Sequence, residues 1–133
     1  MEAVAQATMR VFVVEDSPIV RDRLVAMLWD IPAVEVVGEA DNQADAVTHI
    51  QRLCPDVVVL DIKLRQGTGI GVLEDVKRRA PQTTAIMLTN YANPEFRQRC
   101  VSLGADHFFD KTVEFEKVKE ILEKLVASQA AGC

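Results

Sequence analysis

Several features are scarce in this chain of 133 residues, and each scarcity removes a class of function. No apolar run approaches the roughly 18 residues that a membrane-spanning helix needs, so no membrane insertion is expected. Met1–Thr8 carries no basic region followed by an apolar stretch, so a secretory signal is not expected and a cytoplasmic location is. Basic residues are outnumbered, 15 against 20 acidic ones, for a net charge of −5. Direct binding of nucleic acid calls for several Lys or Arg on one face to displace counterions. Arg97 and Arg99, or Lys77, Arg78 and Arg79, are too few and too diluted by acids, and read as solvated helix faces. The three cysteines, Cys54, Cys100 and Cys133, form no C-x-x-C, and an odd number gives neither a disulfide framework nor a zinc site. Cys54 and Cys100 fall on apolar helical faces and are expected to be small core residues, with Cys133 mobile. His49 and His107 lie far apart and are assigned no role. There is no internal repeat beyond a β-α alternation and no linker, which suits one compact domain.

The chain does contain five apolar runs alternating with amphipathic helical patterns, the signature of a parallel sheet covered by helices on both faces. The first strand is expected over Arg10–Glu15, followed by a helix with Ser17 as N-cap, Pro18 at its first position and Val20, Leu24, Met27 and Leu28 inward. The second strand is Val34–Ala40. Asp41 or Asn42 then caps a helix with Ala46, Ile50 and Leu53 inward, and Pro55 stops it before the strand Asp56–Leu60. After a polar loop, Gly69 opens a helix burying Val72, Leu73, Val76 and Ala80. A fourth strand runs through Leu88. Asn93-Pro94 starts a helix with Phe96, Cys100 and Leu103 inward, and Gly104 suits its left-handed end. The segment His107–Asp110 is the fifth strand, and the last helix covers Val113–Ser128 with Phe115, Val118, Leu122 and Leu125 inward.

The chemistry sits where strands stop. Glu15-Asp16 ends the first run, Asp61 the third, Thr89 the fourth and Lys111 the fifth. In an open parallel sheet the carboxyl ends of the strands line the crevice where ligands bind. Three carboxylates in one crevice repel each other unless a cation lies between them. Taken singly, each residue has an ordinary explanation as a helix cap or a polar boundary. Together, carboxylates, a hydroxyl and an ammonium make a phosphoryl-transfer site.

With these motifs in place, the chain resembles the receiver domain of bacterial two-component response regulators, over about Met9 to Val126. The resemblance rests on Glu15-Asp16, Asp61, Gly69 eight residues later, Thr89, and Gly104-Ala105-Asp106 leading to Lys111. It implies a flavodoxin-like (βα)5 fold, a doubly wound five-stranded parallel sheet in the order 2-1-3-4-5. A receiver domain is expected over 9–128, with 1–8 and 129–133 as flexible termini. Asp61 would accept a phosphoryl group from a histidine kinase or histidine phosphotransfer protein. Mg²⁺, or Mn²⁺ in its place, would be held by Asp16, Asp61 and the backbone carbonyl of Lys63, with Glu15 acting through water. Lys111 would pair with Asp61 and then with a phosphoryl oxygen, Thr89 would donate to another, and Phe108 would turn inward on activation. Lys63 and Tyr91 would tune access of water to the phosphoryl group. Output is expected through 93–126, to a downstream protein or a second copy of the chain. Catalysis is expected to be confined to the protein's own phosphorylation and dephosphorylation.

Some positions depart from the family's common pattern. Thr112 stands where proline usually follows the lysine, which leaves the isomer of the Lys111–Thr112 bond open. Arg65 replaces the usual proline after the acceptor, which is expected to loosen that loop. Asn90 replaces a smaller residue. Competing readings are the receiver fragment of a longer DNA-binding regulator, an aspartate-nucleophile phosphohydrolase, and a flavin mononucleotide binder. The hydrolase would need a second acid where Lys63 stands, and the flavin binder a hydroxyl- and glycine-rich loop where Asp16-Ser17-Pro18 stands.

Overall fold

The computed structural model describes residues 8–131. Ten elements alternate: β1 (Met9–Val14), α1 (Pro18–Trp29), β2 (Val34–Ala40), α2 (Gln43–Leu53), β3 (Val57–Leu60), α3 (Gly69–Arg79), β4 (Thr84–Thr89), α4 (Pro94–Ser102), β5 (His107–Asp110) and α5 (Lys117–Ala131). All strand pairs are parallel, in the order β2-β1-β3-β4-β5, as the flavodoxin-like expectation has it.

Alternation along the strands divides the core in two, because successive side chains of a strand point to opposite faces. Phe12, Val14, Val58, Leu60, Ala85 and Met87 face one side, where α2, α3 and α4 contribute Ala46, Ile50, Val72, Leu73, Val76 and Cys100. Val11, Val13, Val57, Val59, Ile86 and Leu88 face the other, against Leu24 and Leu28 of α1 and Val118 and Leu122 of α5. Burial on both faces explains why the strands read as unbroken apolar runs rather than alternating ones. The β1–β2 register slips by one residue, Val11 pairing with Val36 and Phe12 with Gly38. Gly38 is needed there: a β-carbon would overlap the buried Phe12 ring.

Local signals set the helix starts. The side chains of Ser17, Asn42, Thr68 and Asn93 accept backbone N–H bonds from Val20, Asp45, Gly71 and Phe96, with proline at the first turn of α1 and α4. Gly104 takes φ +102° just past α4, as expected of a left-handed terminator.

Three expectations need correction. Cys54 is exposed, not in the core: it caps α2 in the left-handed conformation, φ 48°, which turns it off the helix's apolar face. The last helix begins at Lys117 rather than Val113, because Asp110 and Glu114 close a turn first. Asp110 N–H donates to the Glu114 carboxylate and Glu114 N–H to the Asp110 carbonyl, leaving Val113 76% exposed. That helix also runs through Ala131, past the expected end at Ser128. Residues 1–7, 132 and Cys133, expected to be flexible, lie outside the described residues.

Candidate functional site

The sheet's hydrogen-bond ladder continues past the strand ends and delivers each candidate group in turn. Glu15 N–H donates to the Ala40 carbonyl (3.0 Å), Asp61 N–H to that of Val14 (3.0 Å) and Lys111 N–H to that of Thr89 (2.9 Å). Three residues remote in sequence are thereby held by backbone at one edge of the sheet.

Their side chains converge. The Lys111 ammonium donates to Glu15 Oε1 at 2.7 Å and to Asp61 Oδ2 at 2.7 Å, and all three residues are buried. Asp61 Oδ1 accepts the N–H of Ile62 (2.7 Å), and Glu15 Oε2 that of Ser17 (3.0 Å). Glu15, Asp16 and Asp61 each offer a carboxylate oxygen within 4.8 Å of the others, Asp16 being the half-buried member. Burial pushes the Glu15 carboxyl above its ordinary value, opposed in part by Lys111. Burial alone would depress the Lys111 ammonium, but the hydrogen bonds and charges of Asp61 and Glu15 outweigh it and raise its pKa. A single ammonium thus compensates part of a three-carboxylate cluster. The remaining negative charge and the all-oxygen donor set suit a hard divalent cation such as Mg²⁺.

Thr89 is fully buried, and its hydroxyl oxygen accepts the N–H of Tyr91 (3.0 Å). Tyr91 is 42% exposed, and the Lys63 ammonium lies over its ring, 5.8 Å from the centroid. Phe108 is buried with its ring inward, capped by the Arg97 guanidinium at 4.7 Å, and Arg97 also donates to the Phe108 carbonyl.

Two outcomes were not legible in advance. The direct Glu15–Lys111 bond joins residues 96 apart, and no local pattern signals it. The second concerns the two missing prolines. Thr112 N–H, which proline would lack, donates to Asp110 Oδ1 (2.8 Å), and every described peptide bond, including Lys111–Thr112, is trans. Arg65, expected to loosen the loop after Asp61, fastens it. Its N–H donates to the Asp41 carbonyl (3.1 Å) and its guanidinium pairs with the Asp41 carboxylate (3.1 Å).

The family model of the response regulator receiver domain matches residues 11–123. The chain belongs to that family, and its fold is that of a receiver domain of two-component response regulators. It is 35% identical over 79% of its length to the DNA-binding transcriptional activator DevR/DosR of Mycobacterium tuberculosis, covering 48% of that protein. It is 34% identical over 92% of its length to a protein-glutamate methylesterase/protein-glutamine glutaminase of Alkalilimnicola ehrlichii, covering 33% of it. The chain therefore spans less than half the length of either relative. Among solved structures, the response regulator domain of Thermotoga maritima CheB superposes with a TM-score of 0.78 at 29% identity, covering 92% of this chain and 97% of that one.

Proposed function

We propose that this chain is a phosphoacceptor switch in which Asp61 takes a phosphoryl group from a phosphohistidine of a histidine kinase or phosphotransfer protein. An Asp61 carboxylate oxygen attacks phosphorus in line, the P–N bond breaks, and the histidine nitrogen recovers a proton. The observation that carries this reading is the placement of Asp61, buried at a strand end, bonded to Lys111 and within 4.8 Å of two further carboxylates. Phosphoryl transfer passes through a loose transition state, so catalysis consists of alignment and neutralisation of the equatorial oxygens. Mg²⁺ would be held by Asp16, Asp61 and the Lys63 carbonyl, with Glu15 behind them, and would supply charge neutralisation. Lys111 passes from Asp61 to a phosphoryl oxygen. Thr89 turns its hydroxyl to another, giving up its bond from Tyr91. Phe108 is already inward in the unphosphorylated chain, beneath Arg97 of α4, so the movement of Thr89 would hold the ring there rather than turn it, and thereby bias the face 93–126 toward a downstream partner. The only chemistry proposed is on the chain's own aspartate.

The length of the relatives favours a second reading of context: the same domain within a longer regulator, its output then being an attached effector. The site chemistry is the same in both. The test is incubation with Mg²⁺ and acetyl phosphate, followed by intact mass of wild type and Asp61→Asn. A phosphoryl adduct on wild type alone is expected; an adduct on both, or on neither, overturns the assignment.

A further inference from the structure

The loop that follows Asp61 is clasped by the loop after β2 and by the first residue of α2. Arg65 N–H donates to the Asp41 carbonyl (3.1 Å), Gln43 N–H to the Gln66 carbonyl (3.0 Å), and Thr68 N–H to Gln43 Oε1 (2.9 Å). The Arg65–Asp41 ion pair adds a side-chain bond on the outer edge. At its base the same loop is closed by Gly69 N–H to the Ile62 carbonyl (2.8 Å), and a β-carbon at Gly69 would overlap the Asp61 carbonyl oxygen.

Gln43 sits in a seat made by two glycines. A β-carbon at Gly67 would overlap its Cβ, and one at Gly71 its terminal amide. Gly67 has φ +75°, which favours glycine regardless of space. Gly71 has no such backbone reason, since it lies in the first turn of α3, where glycine is disfavoured against alanine. The close approach of the Gln43 amide supplies the reason. Two independent features, the hydrogen bonds and the vacated space, therefore point to one residue.

We infer that Gln43 and Arg65 are positioning residues for the phosphoacceptor reaction. They hold the backbone of Ile62–Thr68, including the Lys63 carbonyl, in its working conformation before metal or phosphoryl donor arrives. The inference rests on the phosphoacceptor reading. Its physical basis is preorganisation: a loop already ordered does not have to be ordered at the expense of ligand binding. Arg65 contributes the N–H that the family's usual proline lacks, so clasping takes the place of proline's stiffness.

The test uses ¹⁵N-labelled protein. In metal-free wild type, the amides of Gln43, Arg65 and Thr68 are expected to be protected from hydrogen exchange. Gln43→Ala should lose protection at Thr68 by about two- to tenfold, and should raise the Mg²⁺ concentration at half-saturation, followed by chemical shift, by a similar factor. Its phosphorylation at limiting Mg²⁺ should slow by the same factor, the loss narrowing as Mg²⁺ saturates. Gln43→Glu keeps an acceptor oxygen for Thr68 and should restore both readouts. A Thr68 amide that exchanges freely in wild type, or a Mg²⁺ midpoint unmoved in Gln43→Ala, overturns the inference while leaving Asp61 as acceptor. Absence of any wild-type adduct with acetyl phosphate defeats the phosphoacceptor reading, and this inference with it.

Discussion

Lys111 sits between two buried carboxylates, bonded to Glu15 and Asp61 at 2.7 Å each. Removing one partner of such a pair leaves uncompensated buried charge, which costs about 3–5 kcal/mol. Lys111→Ala is therefore expected to be destabilised by that order in EDTA, measured by urea unfolding, and to recover part of the loss in Mg²⁺. Equal stability of variant and wild type in EDTA would contradict the buried-pair geometry. Tyr91 makes a different prediction. The Lys63 ammonium lies over its ring, and we propose that the pair screens the acyl phosphate from water. Tyr91→Ala should shorten the phosphorylated lifetime by about two- to tenfold, the equivalent of one modest interaction; an unchanged lifetime would refute the screen. Thr112 and Arg65 act alike. Each stands in place of an expected proline, and each uses the N–H that proline would remove.

Between elements, α2 and α3 are joined by one half-buried acid. Asp75 Oδ1 receives Arg78 (2.8 Å) and Arg79 (3.0 Å), and Oδ2 receives Gln51 across the helix pair (3.3 Å). Burial raises the Asp75 pKa, but these partners outweigh it, and the carboxyl lies below its ordinary value of 3.8. A depressed carboxyl contributes stability that is present above 3.8 and lost as pH falls through the lower folded value. Both arginines are more than half exposed, so solvent screening keeps the contribution near 0.5–1 kcal/mol. Asp75→Asn should be less stable than wild type by that amount at neutral pH, the gap closing in acid below the folded value. A gap constant with pH in urea titrations would mean that the charge is not its source. Helix ends are likewise decided between elements, as Cys54 shows. Helical spacing places Cys54 on the apolar face, but the helix ends at Leu53, and a cap does not follow helical spacing.

The sheet gathers three carboxylates at the carboxyl ends of its strands, and the Lys111 ammonium pairs with only Glu15 and Asp61, so the metal-free fold carries electrostatic strain there. A cation bound only by the folded chain stabilises it by about 2.7 kcal/mol at a hundredfold excess over its dissociation constant. Mg²⁺ is expected to raise the unfolding midpoint of wild type. Asp16→Asn should be at least as stable as wild type in EDTA and should lose most of the Mg²⁺ increment, as read by thermal or urea unfolding. An increment of equal size in both proteins would remove Asp16 from the metal site.

The local pattern of residues determined by itself where strands and helices lie, which faces they bury, how most helices are capped, and that Glu15, Asp16, Asp61, Thr89 and Lys111 stand at strand ends. These are short-range consequences of periodicity, backbone propensity and capping, each written within a few neighbouring residues. Which of those groups touch is set by long-range packing. The direct bond of Lys111 to Glu15 and the grip of Gln43 and Arg65 on the loop after Asp61 depend on the strand order that brings remote segments side by side, and the inward Phe108 depends on α4 packing Arg97 over β5. A hydrogen bond is fixed to a few tenths of an ångström and in direction, and such precision exists only after packing has placed both partners.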